Sequence, residues 1–155
     1  MSEKELAGRV AELEARVAAL EGIAEQVLAD TGGVVSYQGR LTEPGELDWT
    51  ITLPVSTVLG LPDGPRLEVL AALGHPVRAK VVRVLAQHGP QGAAELQAAA
   101  EVGSTGQLYH HLKPLTTSGL VDQDGRGRYR LRATAMVPVL ILLAAAADIA
   151  GQLKS

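Results

Sequence analysis

The apolar positions change period several times along the chain, and each change marks an element. From residue 2 to 29 they recur in steps of four and three, at Leu6, Val10, Leu13, Val17, Leu20, Ala24 and Val27. This is a heptad pattern, with Leu6, Leu13, Leu20 and Val27 at d and Val10, Val17 and Ala24 at a. A β-branched residue at a with leucine at d favours two parallel strands. Arg9 and Arg16 fall at g, and Glu14 and Glu21 at e. In a parallel pair each of these arginines faces a partner glutamate five residues on. A single amphipathic helix packed on its own domain would use similar spacing, but it would not need the e/g pairing. With only four heptads, the coil is expected to assist a dimerisation begun elsewhere.

Thr31, Gly32 and Gly33 end that helix, and the period then drops to two. Residues 34–38 and 47–53 alternate as strands joined through Glu43, Pro44, Gly45 and Glu46, which predicts a β-hairpin with Gly39 as a bulge. A lone hairpin is marginal in water, so it must pack on the helical domain or on a dimer mate. Leu61, Pro62, Asp63, Gly64 and Pro65 read as a linker. The predicted division is a coiled-coil helix over 1–30, a hairpin segment over 31–60, a linker over 61–65 and a main domain over 66–150.

Helical spacing returns in that domain. Leu67, Val69, Leu70 and Leu73 form a short helix stopped at Gly74, and Pro76 opens the next, whose inner face is Val77, Val81, Val82, Val84 and Leu85. Gly89 and Pro90 close it. A third helix near 93–101 turns Leu96 and Ala99 inward. Ser104 or Thr105 caps a fourth, with Leu108, Leu112 and Leu115 inside and Gly106, Gln107, Tyr109, His110 and Lys113 outside. Pro114 deprives the His110 carbonyl of its helical partner, so a kink is expected there. After the stop at Gly119, strands at 120–123 and 128–131 flank Gly125, Arg126 and Gly127. Tyr129 and Leu131 share one face, and Arg128, Arg130 and Arg132 share the other. Thr134 caps a last helix, which is apolar over most of its circumference through Met136, Val139, Leu140, Leu142 and Leu143. One small domain cannot cover such a helix, which predicts a subunit interface. The expected dimerisation residues are Leu6, Val10, Leu13, Val17 and Leu20 at one end and Val139, Leu140 and Leu143 at the other. The fold class is mainly α with small β parts: a winged helix-turn-helix domain preceded by a coiled-coil helix and a β-hairpin.

Composition narrows the chemistry. With no cysteine among 155 residues, disulfides and thiolate metal sites are excluded. Phenylalanine is absent, so the core must be built from Leu, Val and Ala. The longest uncharged run, 133–147, has 15 residues, whereas crossing a bilayer takes about 20. The N-terminus is charged and unlike a signal peptide, and a cytoplasmic protein with no membrane partner is expected. Net charge is −3, but residues 1–60 hold 4 basic and 10 acidic groups, whereas residues 66–132 hold 9 basic and 5 acidic. A polyanion would sit on the basic part.

Double-stranded DNA is the expected partner. An α-helix fits the major groove, where base edges present distinguishable donors and acceptors. The Gln107 amide matches adenine, His110 can donate or accept, and Tyr109 can reach a base edge or a phosphate. Ser104, Thr105 and Lys113 suit backbone contacts, which position without specifying sequence. Arg126, Arg128 and Arg130 can grip phosphates or enter the minor groove. His111 lies nearer the inner face and reads as structural. Tyr37 and Trp49 are candidates for a ligand or partner surface, with a core anchor as the alternative for Trp49. No serine stands in a nucleophile turn, and Gly103, Gly106, Gly125 and Gly127 form no phosphate cradle. An enzyme is therefore not expected, nor any cofactor. An interaction adaptor that keeps the fold but binds a protein through the acidic N-terminal half is the alternative.

Residues 73–85, LGHPVRAKVVRVL, resemble the opening of the domain in the ArsR family of bacterial winged helix-turn-helix repressors. Residues 108–115 followed by Gly119, Leu120 and Val121 resemble that family's recognition helix and stop, and residues 125–129 its wing. The resemblance covers about 66–150. It implies a homodimer through the terminal helices, operator binding and control of transcription, usually repression. Metal sensors of the family carry cysteines on the helix before the recognition helix, and residues 95–101 have none. The last helix offers only Asp148, and His75, His88, His110 and His111 lack i,i+4 pairing, so no metal site is expected. The coil and hairpin lie outside the family's usual plan, and any small-molecule or protein effector is left unnamed.

Overall fold

The computed structural model describes residues 3–43 and 45–153. These residues form two compact units, residues 1–37 with 51–61 and residues 38–50 with 62–155. The first unit holds helix α1 (Glu3–Thr31), the outer ends of hairpin strands β1 (Val34–Leu41) and β2 (Leu47–Pro54), and a short helix α2 (Val55–Gly60). Helix α1 stops where Gly32 and Gly33 adopt φ of 74° and 107°, conformations that glycine reaches at no steric cost. The Gly33 N–H donates back to the Leu28 carbonyl at 2.9 Å. Ser36 and Thr52 hydroxyls bond across the strands at 2.9 Å. The helix α2 falls within the segment read as hairpin and carries no sequence signal strong enough to have been predicted.

The second unit contains α3 (Asp63–Leu73), α4 (Pro76–His88), β3 (Gln91–Gly92), α5 (Ala93–Ala100), α6 (Thr105–Thr117), β4 (Val121–Gln123), β5 (Arg128–Leu131) and α7 (Ala133–Ile149). Helix α3 starts inside the stretch that reads as a linker, because Pro65 suits a first helical turn. Its inward residue is Ala72, at 2% exposure, whereas Leu67 and Leu70 are exposed. Helix α4 is capped by His75, whose Nδ1 accepts from the Val77 N–H at 3.2 Å. Arg78 reaches back to donate to the Ala72 and Ala71 carbonyls at 2.6 and 2.8 Å, satisfying the end of α3. The proline and arginine of the 73–78 motif thus build the α3–α4 corner. In α5 the inward pair is Leu96 and Ala100, and Ala99 is exposed. Ala100, four residues on from Leu96, shares its face, and Glu101 ends the helix in the left-handed conformation at φ 56°. The core joins Val81, Val82 and Leu85 of α4 to Leu96, Leu108, Leu112, Leu115, Val121, Leu131 and Val139.

Strands β3, β5 and β4 form a three-stranded sheet in that order, with Gln91 opposite Tyr129 and Val121 opposite Leu131. Two residues are too few to show a period, so β3 is invisible in the sequence. At Gly39 a Cβ would lie 2.5 Å from Val137 Cγ1, so glycine permits close approach of strand and helix. Helix α7 is preceded by Arg132 with no side-chain cap bond, so Thr134, already inside the helix, does not cap it. No helix among the described residues is long and apolar enough to cross a membrane.

Candidate nucleic-acid interface

Helices α5 and α6 and the turn between them make the helix-turn-helix. Ser104 caps α6, its Oγ accepting from the Gln107 N–H at 3.2 Å, while the Gln107 Oε1 accepts from the Gly103 N–H at 3.0 Å. This reciprocal pair resembles a capping box, and the spacing Ser-x-x-Gln was its available signal. The Thr105 hydroxyl donates to Gln97 Oε1 at 3.0 Å, tying α6 to α5. Lys80 and Glu101 form an ion pair that ties the turn to α4.

The two faces of α6 separate cleanly. Leu108, Leu112 and Leu115 are at most 2% exposed, whereas Thr105, Gln107, Tyr109, His110 and Lys113 are exposed, as is the capping Ser104. Pro114 lies inside the helix, which continues to Thr117. His111 is half-buried, with its ring 4.7 Å from that of His75 and 5.6 Å from that of His110. Its Nδ1 is buried without a partner. Burial holds its pKa below the ordinary 6.5, and the charges of His75, His110 and Arg78 act in the same direction. A neutral ring that packs is the consequence.

The wing is β4, β5 and the turn between them. Tyr129 and Leu131 anchor it at 5% exposure each. Its arginines are engaged within the chain: Arg130 pairs with Asp124 at 3.3 Å, Arg132 with Asp122 at 2.9 Å, and Arg128 donates to the Pro90 carbonyl at 3.0 Å. The Arg132 hydrogen bond lowers the Asp122 pKa against an opposing effect of burial, and the charges of Arg132 and Arg130 add to the lowering. Arg126, at the tip, is exposed. An open groove of about 380 Å³ runs between α6 and the wing, lined by Tyr109, Lys113, Thr116, Asp122 and Gln123 among others. The sequence reading missed Asp122 and Asp124 as arginine partners, although both stand in or beside the strand opposite the arginines.

The other candidate residues are dispersed. Leu6, Val10, Leu13, Val17 and Leu20 form an exposed row on α1, each at least 46% exposed. Val139 is 1% exposed within its own core, so it is not on offer to a second subunit. Leu140 and Leu143 are half-buried. Tyr37 is half-buried in the first unit, and Trp49, in the second, is half-buried with its Nε1 unpartnered. Among the described residues no three metal-ligating side chains converge.

Residues 73–124 match the model of a family described as a helix-turn-helix domain. A search of curated proteins finds no significant match. Among solved structures, a homodimeric winged helix-turn-helix DNA-binding domain, Mb0332 from Mycobacterium bovis, named as a possible ArsR-family transcriptional regulator, is 22% identical. It covers 57% of this chain and 89% of its own, with a TM-score of 0.47. The transcriptional repressor BigR from Xylella fastidiosa is 25% identical over 54% of this chain and 87% of its own, at a TM-score of 0.44. NolR from Sinorhizobium fredii is 21% identical over 63% and 95%, at 0.49. By family match, residues 73–124 of the chain carry a helix-turn-helix domain, and strands β4 and β5 form a hairpin beside it.

Proposed function

We propose that the protein is a sequence-specific, double-stranded DNA-binding regulator of transcription, a repressor, acting in the cytoplasm as a homodimer. The observation that carries this reading is the polar face of α6. Five side chains able to meet base edges or phosphates project from a helix whose opposite face is fully buried. Helix α6 enters the major groove, with Gln107 and His110 at base edges and Tyr109 and Lys113 nearer the backbone. The wing lies along the flanking phosphates through Arg126 and Arg128. Two copies then read half-sites about 34 Å apart, one helical turn of the duplex.

The exposed apolar row of α1 supports a parallel coil between two copies, since a lone helix gains nothing by presenting that row to water. The same row also favours a second reading, an adaptor whose acidic N-terminal part binds another protein. Selection of bound genomic fragments, followed by titration at several salt concentrations, separates the two. A regulator returns one enriched palindrome; an adaptor returns unselective binding that disappears at physiological salt. Within the first outcome, Arg126→Ala should weaken binding to every sequence and reduce the salt slope by about 0.9 per half-site. An unchanged slope removes Arg126 from the interface.

A further inference from the structure

A cavity of about 430 Å³ lies within the second unit, between the hairpin turn, the end of α4, the wing and the start of α7. Leu41 and Leu47 of the hairpin, Leu131 and Met136 supply most of its apolar wall, and Pro90 closes one side. Its size and lining fall in the range of small-molecule sites. Three charged side chains border it: Glu43, Glu46 and Arg130. Arg130 already pairs with Asp124, whereas neither glutamate has an ion-pair partner among the described residues. The rim is therefore acidic and the interior apolar.

We propose that this cavity binds a lipophilic organic cation, its apolar body against the leucines and its positive centre beside Glu43 and Glu46. The hairpin is held as a roof by the close approach of Gly39 to Val137. The floor is the root of the wing, through Arg130 and through Pro90, whose carbonyl holds Arg128. An occupant there bears on two wing arginines, which makes the cavity an effector site. That regulatory half rests on the DNA-binding reading above, whereas the binding half does not.

The test is calorimetric titration of the full chain, without DNA, with tetraphenylphosphonium and with tetraphenylborate, ions of the same shape and opposite charge. Saturable binding of one phosphonium per chain is expected, with the borate binding far more weakly. Glu43→Gln with Glu46→Gln should weaken the phosphonium about fivefold, the size expected for two exposed charge pairs. Ala133→Leu, which fills the cavity from the first residue of α7, should abolish binding, with Met136→Phe as a second filling variant should the first melt early. Equal affinity for both ions, no binding of either, or binding indifferent to both filling variants overturns the proposal. A separate anisotropy titration with operator DNA reads the regulatory half: occupancy must shift DNA affinity, and a chain that binds phosphonium and DNA independently has no effector site here. A chain that binds phosphonium but no DNA overturns the function proposed above and leaves the cavity's ligand standing.

Discussion

Replacing Ser104 by alanine removes the acceptor for the Gln107 N–H, a 3.2 Å bond at the start of α6. Loss of such a cap costs about 1 kcal/mol. Helix α6 is bound into the core by Leu108, Leu112 and Leu115, all at most 2% exposed, so fraying its first turn registers in global stability. For a cooperative unit of this size the melting temperature should fall by about 4 °C. Gln107→Ala removes the return bond from the Gly103 N–H at 3.0 Å. That site is exposed and water can replace the acceptor, so about 0.5 kcal/mol is expected. The two variants part on DNA. On the proposed reading, Gln107→Ala deletes the amide that would meet adenine and should lose about 1–3 kcal/mol at one base pair. Ser104→Ala keeps the amide and should lose affinity evenly across sequences. Urea denaturation with a constant m value gives the first pair of numbers, and anisotropy against a panel of single-base operator variants gives the second. The cap argument is refuted if Ser104→Ala leaves stability within about 0.3 kcal/mol of the parent, and the division of labour is refuted if both variants relax the same base pair.

Gly39→Ala forces a Cβ to 2.5 Å from Val137 Cγ1 and should destabilise by about 1–3 kcal/mol; a neutral result in denaturant melts would mean the hairpin lifts freely. Leu13→Asp, in the exposed row of α1, should raise the dimer's dissociation constant in sedimentation, and an unchanged constant would exclude α1 from the interface. His111 titrates below its ordinary 6.5 because it is buried near His75, His110 and Arg78. A depressed folded pKa contributes stability above the unfolded value and loses it as pH falls through the folded one, so midpoints should drop below pH 6.5. His111→Leu should flatten that limb, and an unaltered limb would assign it to another group. Glu101→Gly relieves a left-handed residue at φ 56°, worth about 1–2 kcal/mol, and loses an exposed ion pair with Lys80 worth under about 1. A net gain is therefore expected, and a loss above 1 kcal/mol would reverse the ranking of the two effects.

The sequence was most legible where burial enforces a period. The leucines of α6, Val81, Val82 and Leu85 of α4 and the Tyr129/Leu131 face of the wing each repeat at the spacing of their element, and all are buried as the spacing implies. It was least legible where a contact is made once. The close approach of Gly39 to Val137 leaves no mark on periodicity. Val139 reads as interface because one helix's apolarity does not say which part its own core consumes. Ala100 replaces Ala99 because a helical face can continue at i+3 or i+4, and spacing from Leu96 alone does not choose between them. In the candidate site, the exposed face of α6 follows from its inner face by elimination. The cap made by Gln107 does not, since the same amide suits an adenine or a backbone N–H.

The wing shows how that limit bears on function. Three arginines on one strand face invite the inference that only a polyanion would stabilise them. Their partners lie within the chain: Asp124, Asp122 and the Pro90 carbonyl. Exposed pairs of this kind contribute at most about 1 kcal/mol each, so they do not hold the fold, but they do cancel charge. Arg130 and Arg132 are neutralised by their aspartates, whereas Arg128 bonds a neutral carbonyl and keeps its full charge. Among the described residues, Arg126, Arg128 and Lys113 are then the cations of the head that no acid offsets. A dimer offers about six such groups, and at roughly 0.9 per phosphate contact its affinity should fall with salt at a slope near −5. A much steeper slope would require the aspartates to release their arginines on DNA, and Asp122→Asn with Asp124→Asn should then raise affinity at every sequence. With the pairs intact, the acids limit how strongly the head grips arbitrary DNA. On the proposed reading, discrimination is then left to the face of α6, and a weak wing lets sequence matter.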